Sequence, residues 1–169
     1  RMDFREMLDQ HVEAGAELSV ATLPVLRGDC HALGIMQVGP GGRIVRFVEK
    51  PKEPALVDSL RLDPESAARV GIPEGQERFL ASMGIYLFNR DLLFQALDND
   101  LADFGKHIIP GAIQDRRVFA HVFQGYWEDI GTIRSFYDTN LLLTGPNPPF
   151  NFFDQKSPIY SHARFLPGS

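Results

Sequence analysis

Strand-like and helix-like stretches take turns along this chain, and that alternation confines it to the α/β class. Asp3 reads as a helix N-cap with Glu6 completing a capping box. Phe4, Met7, Leu8 and Val12 then follow at helical spacing, and Gly15 closes the run. Residues 18–25 form a mostly apolar strand suited to the buried middle of a sheet. Two short β-rich runs, 33–38 and 43–48, flank Gly39-Pro40-Gly41-Gly42, a hairpin-type turn. From 51 to 78 prolines and charges break the pattern into a surface excursion, with one helical turn at Glu65 to Ala68. A strand is expected at 80–88, helices at 91–97 and 106–114, and a strand at 118–123 turned by Gly125. Thr132 caps a last helix that carries Ile133, Phe136, Tyr137, Asn140 and Leu141 on one face and stops at Gly145-Pro146. The aromatic, proline-rich tail from Pro148 reads as extended. The expected sheet is mixed and mostly parallel, with one hairpin, and both ends of the chain read as cut.

Composition narrows the function classes. A length of 169 residues allows one domain with a real core. A net charge of −5 argues against general binding to nucleic acid or anionic membrane, while leaving room for a local basic pocket for one phosphate. No apolar run approaches the ~20 residues of a membrane span, and the opening Arg1-Met2-Asp3-Phe4 has no signal-peptide pattern. Cys30 is the single cysteine, so no internal disulfide can form, in agreement with a cytoplasmic protein. The histidines lack zinc-ligand spacing, and no phosphate-binding glycine loop is present.

Four segments carry candidate chemistry. Phe47-Val48-Glu49-Lys50-Pro51 ends a strand with an acid and a base. A lysine there can meet a phosphate and a glutamate can accept sugar hydroxyls, though the pentapeptide by itself favours a plain solvated strand end. In Ser82-Met83-Gly84, serine offers a hydroxyl and glycine lets a ligand approach the backbone. Asp103, ahead of Phe104-Gly105-Lys106, is either a ligand-binding acid or a helix N-cap. Tyr126-Trp127-Glu128-Asp129-Ile130-Gly131-Thr132 holds the only tryptophan. Asp129 could ligate magnesium and Trp127 could lie against a sugar ring, or the segment is a core tryptophan before a capped helix.

In order along the chain, these segments resemble the glucose-1-phosphate adenylyltransferase family. The matching pieces are Arg1-Met2-Asp3, Leu33-Gly34-Ile35-Met36, Phe47 to Pro51, Ala81 to Tyr86 and Asp103 to Lys106. Ile108-Ile109-Pro110, Tyr126 to Thr132, Asn140-Leu141, Pro158-Ile159-Tyr160 and Leu166-Pro167 complete the set. The resemblance implies part of a Rossmann-like nucleotide-diphospho-sugar transferase catalytic domain over 1–145. Residues 146–169 would lead toward a left-handed β-helix domain.

The implied reaction joins ATP and glucose 1-phosphate to give ADP-glucose and pyrophosphate with Mg2+, for glycogen- or starch-type glucan synthesis. By the same resemblance Lys50 holds the sugar phosphate, and Glu49, Ser82 and Asp103 hold glucose, with Gly84 also at the substrate. Trp127 lines the sugar pocket, and Asp129 is the catalytic magnesium ligand. The family's glycine-rich nucleotide loop, its catalytic arginine and lysine and its other magnesium-binding aspartate have no counterpart in these residues. The chain therefore reads as the sugar-binding half, inactive alone and part of a homotetramer when complete. The alternatives are a catalytically silent regulatory subunit of the family or a sister enzyme using UTP, dTTP or GTP.

Overall fold

A computed structural model describes residues 2–69, 71–73, 75–101, 103–155 and 158–159. The chain folds as two compact units, Met2–Gln124 and the residues from 125 onward. In the first unit, helix α1 (Phe4–Glu13) leads into strand β1 (Leu18–Val25). A 3-10 turn at Arg27–Ala32 precedes β2 (Gly34–Val38), and a tight turn at Pro40–Gly42 precedes β3 (Ile44–Glu49). Two short helices, α2 (Pro54–Ser59) and α3 (Pro64–Arg69), fill the excursion where one helical turn was expected. Then follow β4 (Phe79–Phe88), α4 (Arg90–Leu97), a π-helical turn at Phe104–Ile108, α5 (Ile109–Asp115) and β5 (Val118–Val122).

The sheet order is β3-β2-β4-β1-β5. The α/β class is as expected, but the mostly parallel sheet is not. β1 runs antiparallel to β4, β2 runs antiparallel to β3 and to β4, and only β1 and β5 are parallel. Alternation along the chain cannot reveal this. β1 and β2 point the same way, yet β4, later in sequence, inserts between them and converts both contacts to antiparallel pairs.

Neighbouring residues of a strand face opposite sides, so one sheet supports two apolar clusters. Met36 and Leu80 join Leu18, Val20, Phe47, Leu92, Ile109 and Val118 on one face. Their neighbours Ile35 and Phe79 join Val25, Cys30, Val57 and Leu60 on the other. Arg27 ties the second layer together. Its guanidinium pairs with Asp58 and with Glu77 at 2.9 Å, and stands 5.5 Å over the Phe79 ring.

Helix ends follow local chemistry with one departure. Asp3 caps α1 by accepting the Arg5 amide at 2.9 Å, and its carboxylate is taken up by the Arg5 guanidinium rather than by the expected box with Glu6. Gly15, at φ +56, ends that helix in the left-handed region where glycine is favoured. In the second unit, α6 (Ile133–Thr144) begins in a capping box in which Thr132 and Ser135 bond reciprocally. It ends at Gly145 with extended backbone, as a residue before proline prefers. The tail is not simply extended. It turns near Phe152, with the Phe150 ring 4.7 Å from Phe152 and 6.2 Å from Tyr126. Of the motif residues, Arg1, Tyr160, Leu166 and Pro167 lie outside the described residues, as does most of the expected approach to a further domain. Among the described residues no helix is long and apolar enough to cross a membrane.

Candidate functional site

Five of the residues singled out by sequence, Glu49, Lys50, Ser82, Gly84 and Asp103, meet at one end of the first unit's sheet. Glu49 is the last residue of β3, paired across the ladder with Gly34 of β2. Lys50 follows at φ +49, the only described non-glycine residue with a positive φ. A left-handed lysine costs roughly 1–2 kcal/mol. Its amide bonds to the Leu33 carbonyl at 3.0 Å, which holds the strained turn in place. Such strain gathers where surrounding structure fixes a functional geometry. The Lys50 ammonium lies 3.8 Å from Glu49 Oε1 and is well exposed.

Ser82 and Gly84 sit in an irregularity of β4. The β1 ladder pairs Thr22 with Ser82 and Val20 with Tyr86, so extra β4 residues bulge between them. Gly84 makes the bulge possible at φ +71, and its amide donates to Ser82 Oγ at 3.2 Å. A Cβ at Gly84 would meet open space, so its backbone conformation, not crowding, is what requires glycine.

Asp103 is an N-cap, as one of its two sequence readings held. It accepts the Lys106 amide at 3.0 Å, and its other oxygen faces the Lys106 ammonium at 3.3 Å. The Lys106 amide, and then its ammonium, hold the Asp103 carboxyl below the ordinary carboxylate range. A Cβ built on Gly105 would stand 2.5 Å from Glu49 Oε2 and 3.5 Å from Asp103 Oδ1, so the two acids flank this glycine.

Sequence reasoning did not single out Tyr86, Phe104, Gly105 or Lys106 as site residues. Burial raises the Tyr86 phenol above its ordinary pKa. A hydrogen bond with Ser82 works against that, and the charges of Glu49 and Asp103 push it further up. The Tyr86 ring stacks on Phe104, 5.6 Å between centroids and 9° between planes. The spacing of four from Ser82 to Tyr86 and of three from Asp103 to Lys106 carried the signal.

The cluster therefore offers two carboxylates, two ammonium groups, a serine hydroxyl and a phenol beside an aromatic wall. Carboxylates accept hydrogen bonds from a polyol, and ammonium groups meet phosphate. Clefts lie elsewhere in the same unit, among them one of ≈ 380 Å³ lined by Gln10, Gly41, Ser66, Arg69 and His121 and one of ≈ 230 Å³ lined by Leu92, His107 and Ala112. Neither contains Glu49, Lys50, Ser82 or Asp103, and chemistry rather than cavity size singles out the site.

In the second unit Trp127 is half-buried and Asp129 exposed, in the irregular segment before α6. Asp129 Oδ1 accepts the Gly131 amide at 3.0 Å. Among the described residues no group of three or more histidines, cysteines or acids could hold a metal ion. Asp129 is thus one carboxylate rather than part of a protein cage.

Other titratable groups have structural roles. His11 bridges Ser19 Oγ at 2.8 Å and Asn89 Oδ1 at 3.1 Å inside the core. Burial pushes the Cys30 thiol up to about 11, which keeps it protonated and unreactive.

In open α/β sheets functional groups commonly gather at strand ends, where this chain places its acids, lysines and hydroxyls. The family model for nucleotidyl transferases matches residues 1–145, and the chain belongs to that family. Nucleotidyl transfer to a sugar phosphate is the activity this membership supports.

Proposed function

We propose that the chain is the sugar-phosphate-binding part of a glucose-1-phosphate adenylyltransferase. In that reaction a phosphate oxygen of glucose 1-phosphate attacks the α-phosphorus of ATP. The bond between the α- and β-phosphates breaks, pyrophosphate leaves, and ADP-glucose remains. The observation that carries the reading is the convergence of Glu49, Lys50, Ser82, Tyr86 and Asp103 around the Gly105 turn, within a nucleotidyl transferase domain.

Each group has a role in binding. The Lys50 ammonium meets the sugar phosphate as a point charge. Glu49, Ser82 and Asp103 engage the glucose hydroxyls at the Gly84 bulge, and Trp127 offers an indole face of the kind a sugar ring can lie against. Magnesium suits a lone carboxylate, since it is usually held by one or two carboxylates together with substrate phosphates. Asp129 is the residue of this chain that would hold it, and the ion would neutralise charge on the transferring phosphoryl group. A cytoplasmic homotetramer goes with this reading.

The test is pyrophosphate release by the complete protein with glucose 1-phosphate and ATP, UTP, dTTP or GTP in turn. Preference for ATP is expected. Preference for another triphosphate overturns the adenylyl assignment while leaving the sugar site in place.

A further inference from the structure

We infer that Gly105, with Gly34 opposite it, is a positioning residue that sets where the Glu49 carboxylate stands. The inference rests on the reading of Glu49 as a sugar ligand. Glu49 Oε2 occupies a notch between β2 and the π-helical turn. A Cβ on Gly34 would stand 2.8 Å from that oxygen, and a Cβ on Gly105 would stand 2.5 Å from it and 3.0 Å from the carboxyl carbon. Real Cβ atoms do not approach so closely, so Glu49 could not keep this position beside any larger residue. Neither glycine is needed for a left-handed backbone, because the described glycines with positive φ are all others. What the chain requires at 34 and 105 is space, filled at 105 by the Glu49 carboxylate and at 34 by the Phe47 ring together with that carboxylate.

The two glycines differ in what else a methyl group would meet. At Gly34 it would also overlap the Phe47 ring, which is buried in the core and cannot yield. Gly34→Ala therefore strains the fold as well as the site. At Gly105 the atoms within 3.5 Å belong only to the carboxylates of Glu49 and Asp103, which are the ends of flexible side chains. They swing away at little cost, and alanine is the better residue in a helical turn. Gly105→Ala thus moves the acid while sparing the fold.

The experiment compares the intact protein with Gly105→Ala, Glu49→Ala and the double variant. Gly105→Ala should keep its melting temperature, raise KM for glucose 1-phosphate about tenfold, as loss of a charge-assisted hydrogen bond does, and leave KM for the nucleotide unchanged. On the Glu49→Ala background the same substitution should add nothing, because its effect passes through Glu49. Where Glu49→Ala raises KM, an unchanged KM in Gly105→Ala, or the same loss with and without Glu49, overturns the inference. A crystal structure of Gly105→Ala decides the positioning role without reference to activity. A displaced Glu49 carboxylate supports it, and an unmoved one overturns it. If Glu49→Ala itself leaves KM for glucose 1-phosphate unchanged, the sugar-site reading fails, and the position of Glu49 in that crystal structure still decides the inference.

Discussion

The Asp103 carboxylate accepts the Lys106 amide hydrogen at 3.0 Å and faces the Lys106 ammonium at 3.3 Å, so one lysine holds this acid twice. The helix cap and the ion pair together leave the carboxylate ionised at the edge of the site. A folded-state pKa below the unfolded value of about 3.9 stabilises the folded state above that value. The contribution is present at neutral pH and is lost as pH falls through the lowered folded-state pKa. Carboxyl-carbon NMR should place the Asp103 midpoint below the ordinary aspartate value. Lys106→Ala removes the ammonium but keeps the amide bond, so it should raise the midpoint only partly. An unshifted midpoint in the parent protein would show that the cap is not formed in solution.

At Lys50 substrate binding and backbone strain can be measured separately. In the proposed role its contact with the sugar phosphate would be similar in ground and transition states, and so would act on KM more than on kcat. Lys50→Ala should raise KM for glucose 1-phosphate at least about tenfold and leave KM for ATP nearly unchanged. Lys50→Arg should be intermediate, since charge is kept but reach and geometry change. Lys50→Gly should lose the same affinity yet be more stable than Lys50→Ala by about 1 kcal/mol, because φ +49 suits glycine. Equal damage to both substrates in Lys50→Ala would refute the phosphate assignment, and denaturant unfolding of the last two variants checks the strain.

Tyr86 should titrate above the ordinary phenol value of about 10, because burial and the two nearby carboxylates disfavour the phenolate. Ser82→Ala removes the hydrogen bond that opposes this and should move the midpoint higher still. Tyr86→Phe keeps the stack on Phe104 and should leave stability within about 1 kcal/mol, the worth of one hydrogen bond. If the phenol also touches sugar, KM for glucose 1-phosphate rises in Tyr86→Phe. Ultraviolet titration and kinetics on the same variants check both statements.

Asp129→Asn should lower kcat of the complete enzyme strongly, with partial rescue by excess magnesium. Asparagine can still accept the Gly131 amide through its carbonyl oxygen, so the segment before α6 keeps its local bond and thermal stability should not change. Parental kcat at low magnesium would make Asp129 a junction residue only.

Outside the excursion from 51 to 78, where α2 went unread, the order and kind of the main elements were legible along the chain because they rest on local chemistry. Periodicity marked β1 and β4, glycines marked the hairpin, and Thr132 marked the start of α6. Glu49, Lys50 and Asp103 were legible as candidates, since they stand at element ends that short-range pattern reveals, whereas Lys106 and Tyr86 were not. Strand direction was not, because it depends on β4 inserting between β1 and β2, a non-local choice settled by burying Leu80 on one face and Phe79 on the other. Nor could the sequence show that Gly34 and Gly105, 71 positions apart, close on one carboxylate. Spacing along a chain sets which residues share a face of one element. Which faces meet, and how little room they leave, is decided only when the whole core packs.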